Sequence, residues 1–431
     1  MPTVSRGYAR LVFALSFGLL LIDYMSRQVL NAVFPLLKAE WLLADAQLGS
    51  LSGIVALMVG VLTFPLSLLA DRWGRVKSLV IAATVWSLAT LGCAAAASYG
   101  QMFLGRFMVG VGEAAYGSVG IAVVLSVFPV TLRATLSGAF IAGGAFGSVL
   151  GVSIGGVVAQ QLGWRWAFGV MGIAGLVMAA IYGIVVTEER LGSGASGGSG
   201  SSSGTSGERA PIRTLLPRLF SSVSVLCAYI GSGLQMFIAM ALLAWMPSFL
   251  NRYYAMPPAR AGVIAGAFAL ITGIGMILCG FVTDRLSRRI GARKWTVAII
   301  CSLGSLVLLT AGFHLPVGPP QLLLIGAGTL LSNATAGPAA AMVSNLTPAA
   351  VAATAMATLT LANSLLGLAP GPAVTGMLAD RMGLLGALQL VPCVAVLSGA
   401  AFVIGKLRYE HDLRRLGLLP AVTLTNPELS S

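Results

Sequence analysis

Charge is what this chain has least of. Only 9% of its 431 residues are Asp, Glu, Lys or Arg, where a soluble domain carries roughly a quarter. A water-soluble chain of this length needs two or three domains with polar surfaces. A sequence that is 57% hydrophobic, with a mean hydropathy of +0.92, cannot supply them. Acids are the scarcer sign: 13 against 26 basic residues, for a formal net charge of +13. Cysteine is sparse too. Cys93, Cys227, Cys279, Cys301 and Cys393 fall in apolar runs without metal-ligand spacing, so they read as packing residues and no disulfide is expected. There is no nucleotide, metal or covalent-nucleophile pattern, so the sequence gives no support for an enzyme and predicts no cofactor. A cleavable signal peptide is not expected, because the first apolar run is too long and lacks a nearby cleavage site. It should remain as an anchor.

What the chain does have is apolar runs. About 20 residues at 1.5 Å each cross a hydrocarbon core about 30 Å thick. Twelve windows of that kind lie at 11–36, 47–70, 78–98, 101–126, 135–160 and 165–187, then 219–249, 261–283, 295–314, 319–344, 351–378 and 384–405. Most are rich in Gly and Ala, which let helices approach closely in lipid. The expected fold class is therefore all-α, a polytopic membrane protein with 12 transmembrane helices in two six-helix bundles. The bundles are placed at 1–190 and 215–406. Between them lies a flexible linker at 191–214, almost wholly Gly and Ser from 192 to 207, and a tail follows at 407–431.

The basic residues set the orientation. With both termini cytoplasmic, 19 of the 26 Lys and Arg face inward, and only Lys38, Arg165, Arg252, Arg260 and Arg381 face outward. Topology and anionic headgroups account for the net charge, so no nucleic-acid partner is expected. The expected setting is the cell membrane, in a bacterium the inner membrane, as a monomer among membrane lipids. Asn333 and Asn345 begin N-x-T tripeptides in or at the inner end of a run, where glycosylation is not expected.

The halves repeat weakly. Asp71-Arg72-Trp73-Gly74-Arg75 after the second run is echoed by Asp284-Arg285-Leu286-Ser287-Arg288 after the eighth, and Pro129 with Ala134-Thr135 by Pro348 with Ala353-Thr354. The stretch from Leu69 to Lys77 resembles the signature loop of the major facilitator superfamily, with Ser67 in place of the usual leading Gly and Gly280 keeping it in the second copy. The resemblance implies two bundles around a central cavity. It also implies a conformational latch on the cytoplasmic side, made by Asp71, Arg72, Arg75, Asp284 and Arg285. Within that superfamily, Gly105-Arg106-Phe107-Met108-Val109-Gly110-Val111-Gly112-Glu113-Ala114-Ala115-Tyr116 is similar to the fourth-span signature of the Spinster-like transporters. Gly163-Trp164-Arg165-Trp166-Ala167-Phe168 fits both that family and the anion:cation symporters. Such families move lysophospholipids, sphingolipids, sugar acids and other organic anions, commonly with protons. Both usually place an Asp-Arg pair in the first span; here it is Ser26-Arg27, with Asp23 three residues earlier.

Apart from residues at the ends, the ionisable acids and bases inside the runs all fall in the first half: Asp23, Arg27, Arg106 and Glu113. Each costs roughly 2.5 to 3.5 kcal/mol at a bilayer centre if it faces lipid, so they must face the interior. Spacings of four and seven put Asp23 with Arg27, and Arg106 with Glu113, on one face of each helix, so pairing within each helix is expected. Register places the two carboxylates near the midplane and the two guanidiniums about 6 to 10 Å further out. Arg27 and Arg106 can grip an anionic group bidentately, while Glu113 and Asp23 can take up a proton. The alternative is a structural salt-bridge network. Tyr116, Gln235, Asn333 and Asn363 complete the candidate substrate-binding set. Gly147, Gly151, Gly155 and Gly156 resemble an antiporter motif lacking its proline, although helix packing alone accounts for them.

The reading that emerges is alternating-access, proton-coupled transport of a small organic anion or lipid-like anionic amphiphile. Two rivals stay open: a drug or metabolite exporter by proton antiport, and a receptor or scaffold that binds without flux.

Overall fold

The computed structural model describes residues 6–128, 132–188, 222–287, 292–347 and 352–415, so the expected linker at 191–214 and the tail from 416 onward lie outside the described residues. Long apolar runs in lipid must satisfy every backbone hydrogen bond internally, which selects helices. The first half is α1 (Arg6–Trp41), α2 (Asp45–Trp73), α3 (Arg75–Ala94), α4 (Tyr99–Val127), α5 (Arg133–Leu162) and α6 (Trp164–Val185). The second half opens with α7 (Val223–Tyr253), α8 (Pro258–Ser287) and α9 (Arg293–His314). It continues with α10 (Pro319–Ser332), α11 (Ala336–Leu346), α12 (Ala352–Asn363), α13 (Pro370–Leu390) and α14 (Val394–Arg415).

Among the described residues, eleven stretches are long and apolar enough to cross a membrane. The last, Thr354–Arg415, has 62 residues. At 1.5 Å per residue it spans about 93 Å, enough for two crossings. Gly383 makes the corner between them, at a φ of 79° inside α13 that a side-chain-bearing residue adopts only with strain. Just past it, the Leu385 N–H is satisfied by the Tyr253 hydroxyl at 2.9 Å. Among the described residues, the helices thus supply the twelve crossings expected.

Two crossings differ from the uninterrupted runs read from sequence. The tenth breaks at Asn333–Thr335, between α10 and α11. Pro338, one turn into α11, has no N–H for the Ala334 carbonyl and its ring crowds that turn. The eleventh passes through a π-turn at Ser364–Leu368, where the Ala369 N–H reaches back five residues to the Ser364 carbonyl at 3.0 Å. Pro370 and Pro372 follow, and the wide turn absorbs the bond that Pro370 cannot donate.

Glycine sets how closely the helices meet. A Cβ at Gly147, Gly151 or Gly155 would lie 2.7 Å from Tyr24, Met25 or Val29 respectively, so this stripe seats α5 directly on α1. Gly156 faces the other way, 2.5 Å by the same measure from the Pro258 carbonyl of α8. Between the halves, α2 meets α13 through Gly49 and Gly53, and α1 meets α7 where the Phe34 and Trp245 rings lie 5.2 Å apart.

The polar bonds joining the halves gather at the end opposite the termini. Arg252 at the end of α7 holds Asp45 at the start of α2 with bonds of 2.6 and 2.8 Å, and Lys38 adds a third at 2.7 Å. Asp380 of α13 accepts from the N–H groups of Asp45 and Ala46 at 2.7 and 2.9 Å, using the open donors of a helix N-terminus. Gln160 accepts from the Ala259 N–H at 2.9 Å.

Candidate substrate and proton site

Helices α1 and α4 carry the membrane charges, and Asp23 and Glu113 sit at the midpoint of each. Pairing is across the helices rather than along them. Arg27 donates to Glu113 Oε2 from Nη2 at 2.5 Å and from Nε at 3.0 Å. The Asp23 carboxyl lies beside the Glu113 carboxyl and close to Arg27. The Tyr24 ring flanks the guanidinium, its centroid 5.3 Å from Arg27 Cζ. The Arg27 side chain is 17% exposed and that of Glu113 is not exposed at all. One oxygen of each carboxyl, Asp23 Oδ1 and Glu113 Oε1, is buried without a hydrogen-bond partner.

Arg106 departs from the in-helix pairing with Glu113. It is fully buried, and its guanidinium donates to the carbonyls of Leu51, Ser26 and Arg27 at 3.4, 3.2 and 3.2 Å. Seven residues along a helix is about 10.5 Å, whereas α1 and α2 bring carbonyls within direct reach. Arg106 therefore ties three helices together and fixes the backbone under Arg27. Ser26, at the position where the resemblance leads one to expect Asp, turns its hydroxyl back to the Asp23 carbonyl at 2.9 Å.

The remaining candidates are spread out. Tyr116 is fully buried, donates to the Ser16 carbonyl at 2.5 Å and packs edge-on to Trp86. Gln235 is buried within the second half, bonded to Ser302 and Ser305 of α9. Asn333 is half-buried at the break in the tenth crossing. Asn363 closes α12 just before the π-turn, with its buried Oδ1 unpartnered. Of the latch residues, Arg72 and Arg285 are exposed and Arg75 is half-buried, while the side chains of Asp71 and Asp284 lie outside the described residues. Among the described residues, no three His, Cys, Asp or Glu side chains converge as a metal site.

Sequence reasoning missed two groups. One is the distal cluster of Lys38, Asp45, Arg252 and Asp380, for which the signals were the outward placement of Lys38 and Arg252 and an acid in the first turn of α2. The other is a buried polar relay one turn beyond Arg27, in which Asn31 donates to Gln28 at 2.6 Å and accepts from Ser52 of α2 at 3.3 Å. Amides at this spacing on α1 were visible, but their partner helix was not.

The family model for the Major Facilitator Superfamily matches residues 16–372. A sphingosine-1-phosphate transporter of Danio rerio is 27% identical over 445 residues, covering 95% of this chain and 85% of its own. A hexuronate transporter of Bacillus subtilis is 24% identical over 293 residues, covering 67% and 68%. A solved structure of a bacterial homolog of the human lysosomal transporter Spinster superposes with a TM-score of 0.84 at 19% identity, over 95% of this chain and 99% of its own. Twelve helical crossings in two halves, a signature loop after the second, and a family match over most of the length agree: this chain belongs to the Major Facilitator Superfamily of membrane transporters.

Proposed function

We propose that the chain is a secondary transporter that moves an organic anion or anionic amphiphile by alternating access, coupled to protons. The observation that carries this reading is the Arg27–Glu113–Asp23 cluster at mid-membrane. It sets two carboxyls against one reachable guanidinium, since Arg106 is engaged with backbone carbonyls. Two carboxylates side by side in a low dielectric repel, and a proton held between them relieves the repulsion. An incoming carboxylate or phosphate would compete with Glu113 for Arg27, and the freed Glu113 would carry the proton. Anion binding and protonation then favour one another at a single guanidinium, which is the logic of symport.

With both termini cytoplasmic, the polar bonds at the distal end close the outer side, and the bundles rock about the cluster to open it. Names of relatives support the substrate class: one is a hexuronate transporter, another a sphingosine-1-phosphate transporter. Both carry an acidic group on an otherwise dissimilar body, which matches a site built around one cation. The test is a flux screen of the purified protein in proteoliposomes, with sugar acids, monocarboxylates and lysophospholipids, with and without a pH gradient. The reading predicts gradient-stimulated flux of at least one class. Flux of none of them beside active efflux of cationic drugs would overturn it.

A further inference from the structure

Cysteines are few and far apart in the chain, yet the fold brings two of them into contact. Cys279 of α8 and Cys301 of α9 place their Sγ atoms 3.6 Å apart, and both are free thiols. The Thr283 hydroxyl, one turn further along α8, lies 3.8 Å from the Cys279 sulfur. Cys279 is about 12 Å from the Ser287 end of α8, and Cys301 about 12 Å from the Arg293 end of α9. The pair therefore sits inside the bilayer, in the leaflet on the side of the termini.

Its surroundings decide what chemistry the pair can carry. Ala334 shares the cluster, and Val297 and Leu331 pack against it. Among the described residues, no third His, Cys, Asp or Glu converges to complete a metal cage. A soft monovalent cation gripped by two thiolates would leave a net negative charge in this apolar setting, which is costly. A disulfide leaves none. Leu278 and Ile300, adjacent in sequence to the two cysteines, are 52% and 63% exposed, so the thiols lie one residue from the lipid-facing surface.

We infer that Cys279 and Cys301 form an oxidation site for membrane-soluble organic hydroperoxides, the class to which oxidised acyl chains belong. The Cys279 sulfur attacks the terminal oxygen of the hydroperoxide. The O–O bond breaks, and the departing oxygen takes the thiol proton and leaves as an alcohol. Cys279 is now a sulfenic acid, with the Cys301 thiol as its neighbour. The Cys301 sulfur attacks it, the S–S bond forms as the S–OH bond breaks, and the hydroxyl leaves as water with the Cys301 proton. Two thiols are oxidised, one hydroperoxide is reduced, and no charge remains. The Thr283 hydroxyl is placed to donate to the Cys279 sulfur as its proton departs, which makes Cys279 the attacking thiol. The product ties α8 to α9 beside Ala334, at the break in the tenth crossing.

The full chain in proteoliposomes is treated with cumene hydroperoxide or with hydrogen peroxide at the same concentration, quenched with N-ethylmaleimide, digested and read by mass spectrometry. The expected product is a peptide pair joined through Cys279 and Cys301 and separated by dithiothreitol. The apolar peroxide should form it at least about tenfold faster, because each methylene-sized group raises its concentration in the bilayer severalfold. Cys301→Ala should stop at the sulfenic acid, captured on Cys279 by dimedone. Recovery of both wild-type cysteines as thiols, or as separate sulfinic acids, overturns the proposal, and this arm needs no variant to fold. Equal rates with the two peroxides also overturn it, since the oxidant would then arrive from water. Absence of the dimedone adduct, beside a wild type that forms the disulfide, overturns Cys279 as the attacking thiol.

Discussion

Arg27 and Arg106 carry the same charge at similar depth, yet their surroundings assign them different work. Arg106 is buried and satisfied by three carbonyls, so replacing it removes contacts that hold α1, α2 and α4 together. Arg27 retains exposure and makes its bonds to a side chain that can let go. Arg106→Lys should therefore lower thermal stability by about 1–3 kcal/mol, with activity falling in step with folded yield. Arg27→Lys should leave the melting temperature nearly unchanged and raise the apparent KM for the anion at least about tenfold, since a lysine cannot offer the bidentate fork. Detergent melting curves beside transport kinetics separate the two; equal losses of stability in both would remove the distinction. Sequence made the four charges legible, and with them the mid-helix places of Asp23 and Glu113, because hydropathy and register along one helix are local properties. It could not say that Glu113 chooses Arg27 over Arg106. That choice depends on how α1 and α4 are rotated against one another.

At the scale of the element, close glycine contacts and a few charged bonds hold the distal end shut. Any Cβ at Gly49 would run into the Pro372 carbonyl of α13, which is backbone and cannot step aside. Gly49→Val should wedge α2 from α13 and shift the protein toward a state open at that end. Arg252→Ala should do the same more weakly by releasing Asp45. Distances between spin labels on the outer ends of α2 and α13 should lengthen in both variants, by more in Gly49→Val; unchanged distances would show that these contacts do not set the closed state. The length and apolarity of the runs forecast the helices themselves. The breaks at Asn333–Thr335 and Ser364–Leu368 were harder to foresee, because proline in a membrane helix can be absorbed as a kink, a gap or a wide turn according to its neighbours.

For the whole molecule, two bundles with chemistry concentrated in one imply a division of labour. The first carries the charge cluster, while the second contributes amides and apolar packing around α7, with Trp245 seated against Phe34. The Lys and Arg bias is the ground on which we propose that both termini and the segment between the bundles face the cytoplasm. An epitope inserted within 192–207 should be inaccessible to antibody in intact spheroplasts and accessible after permeabilisation. Staining of intact spheroplasts would invert the topology and with it the sense of the gate. The central claim, that proton and anion meet at Arg27 and Glu113, is tested most directly by comparing wild type and Glu113→Gln in one proteoliposome preparation. The measurement is uptake driven by a pH gradient alongside substrate counterflow without one. The account predicts that Glu113→Gln loses driven uptake yet retains counterflow; driven uptake equal to that of the wild type would contradict it.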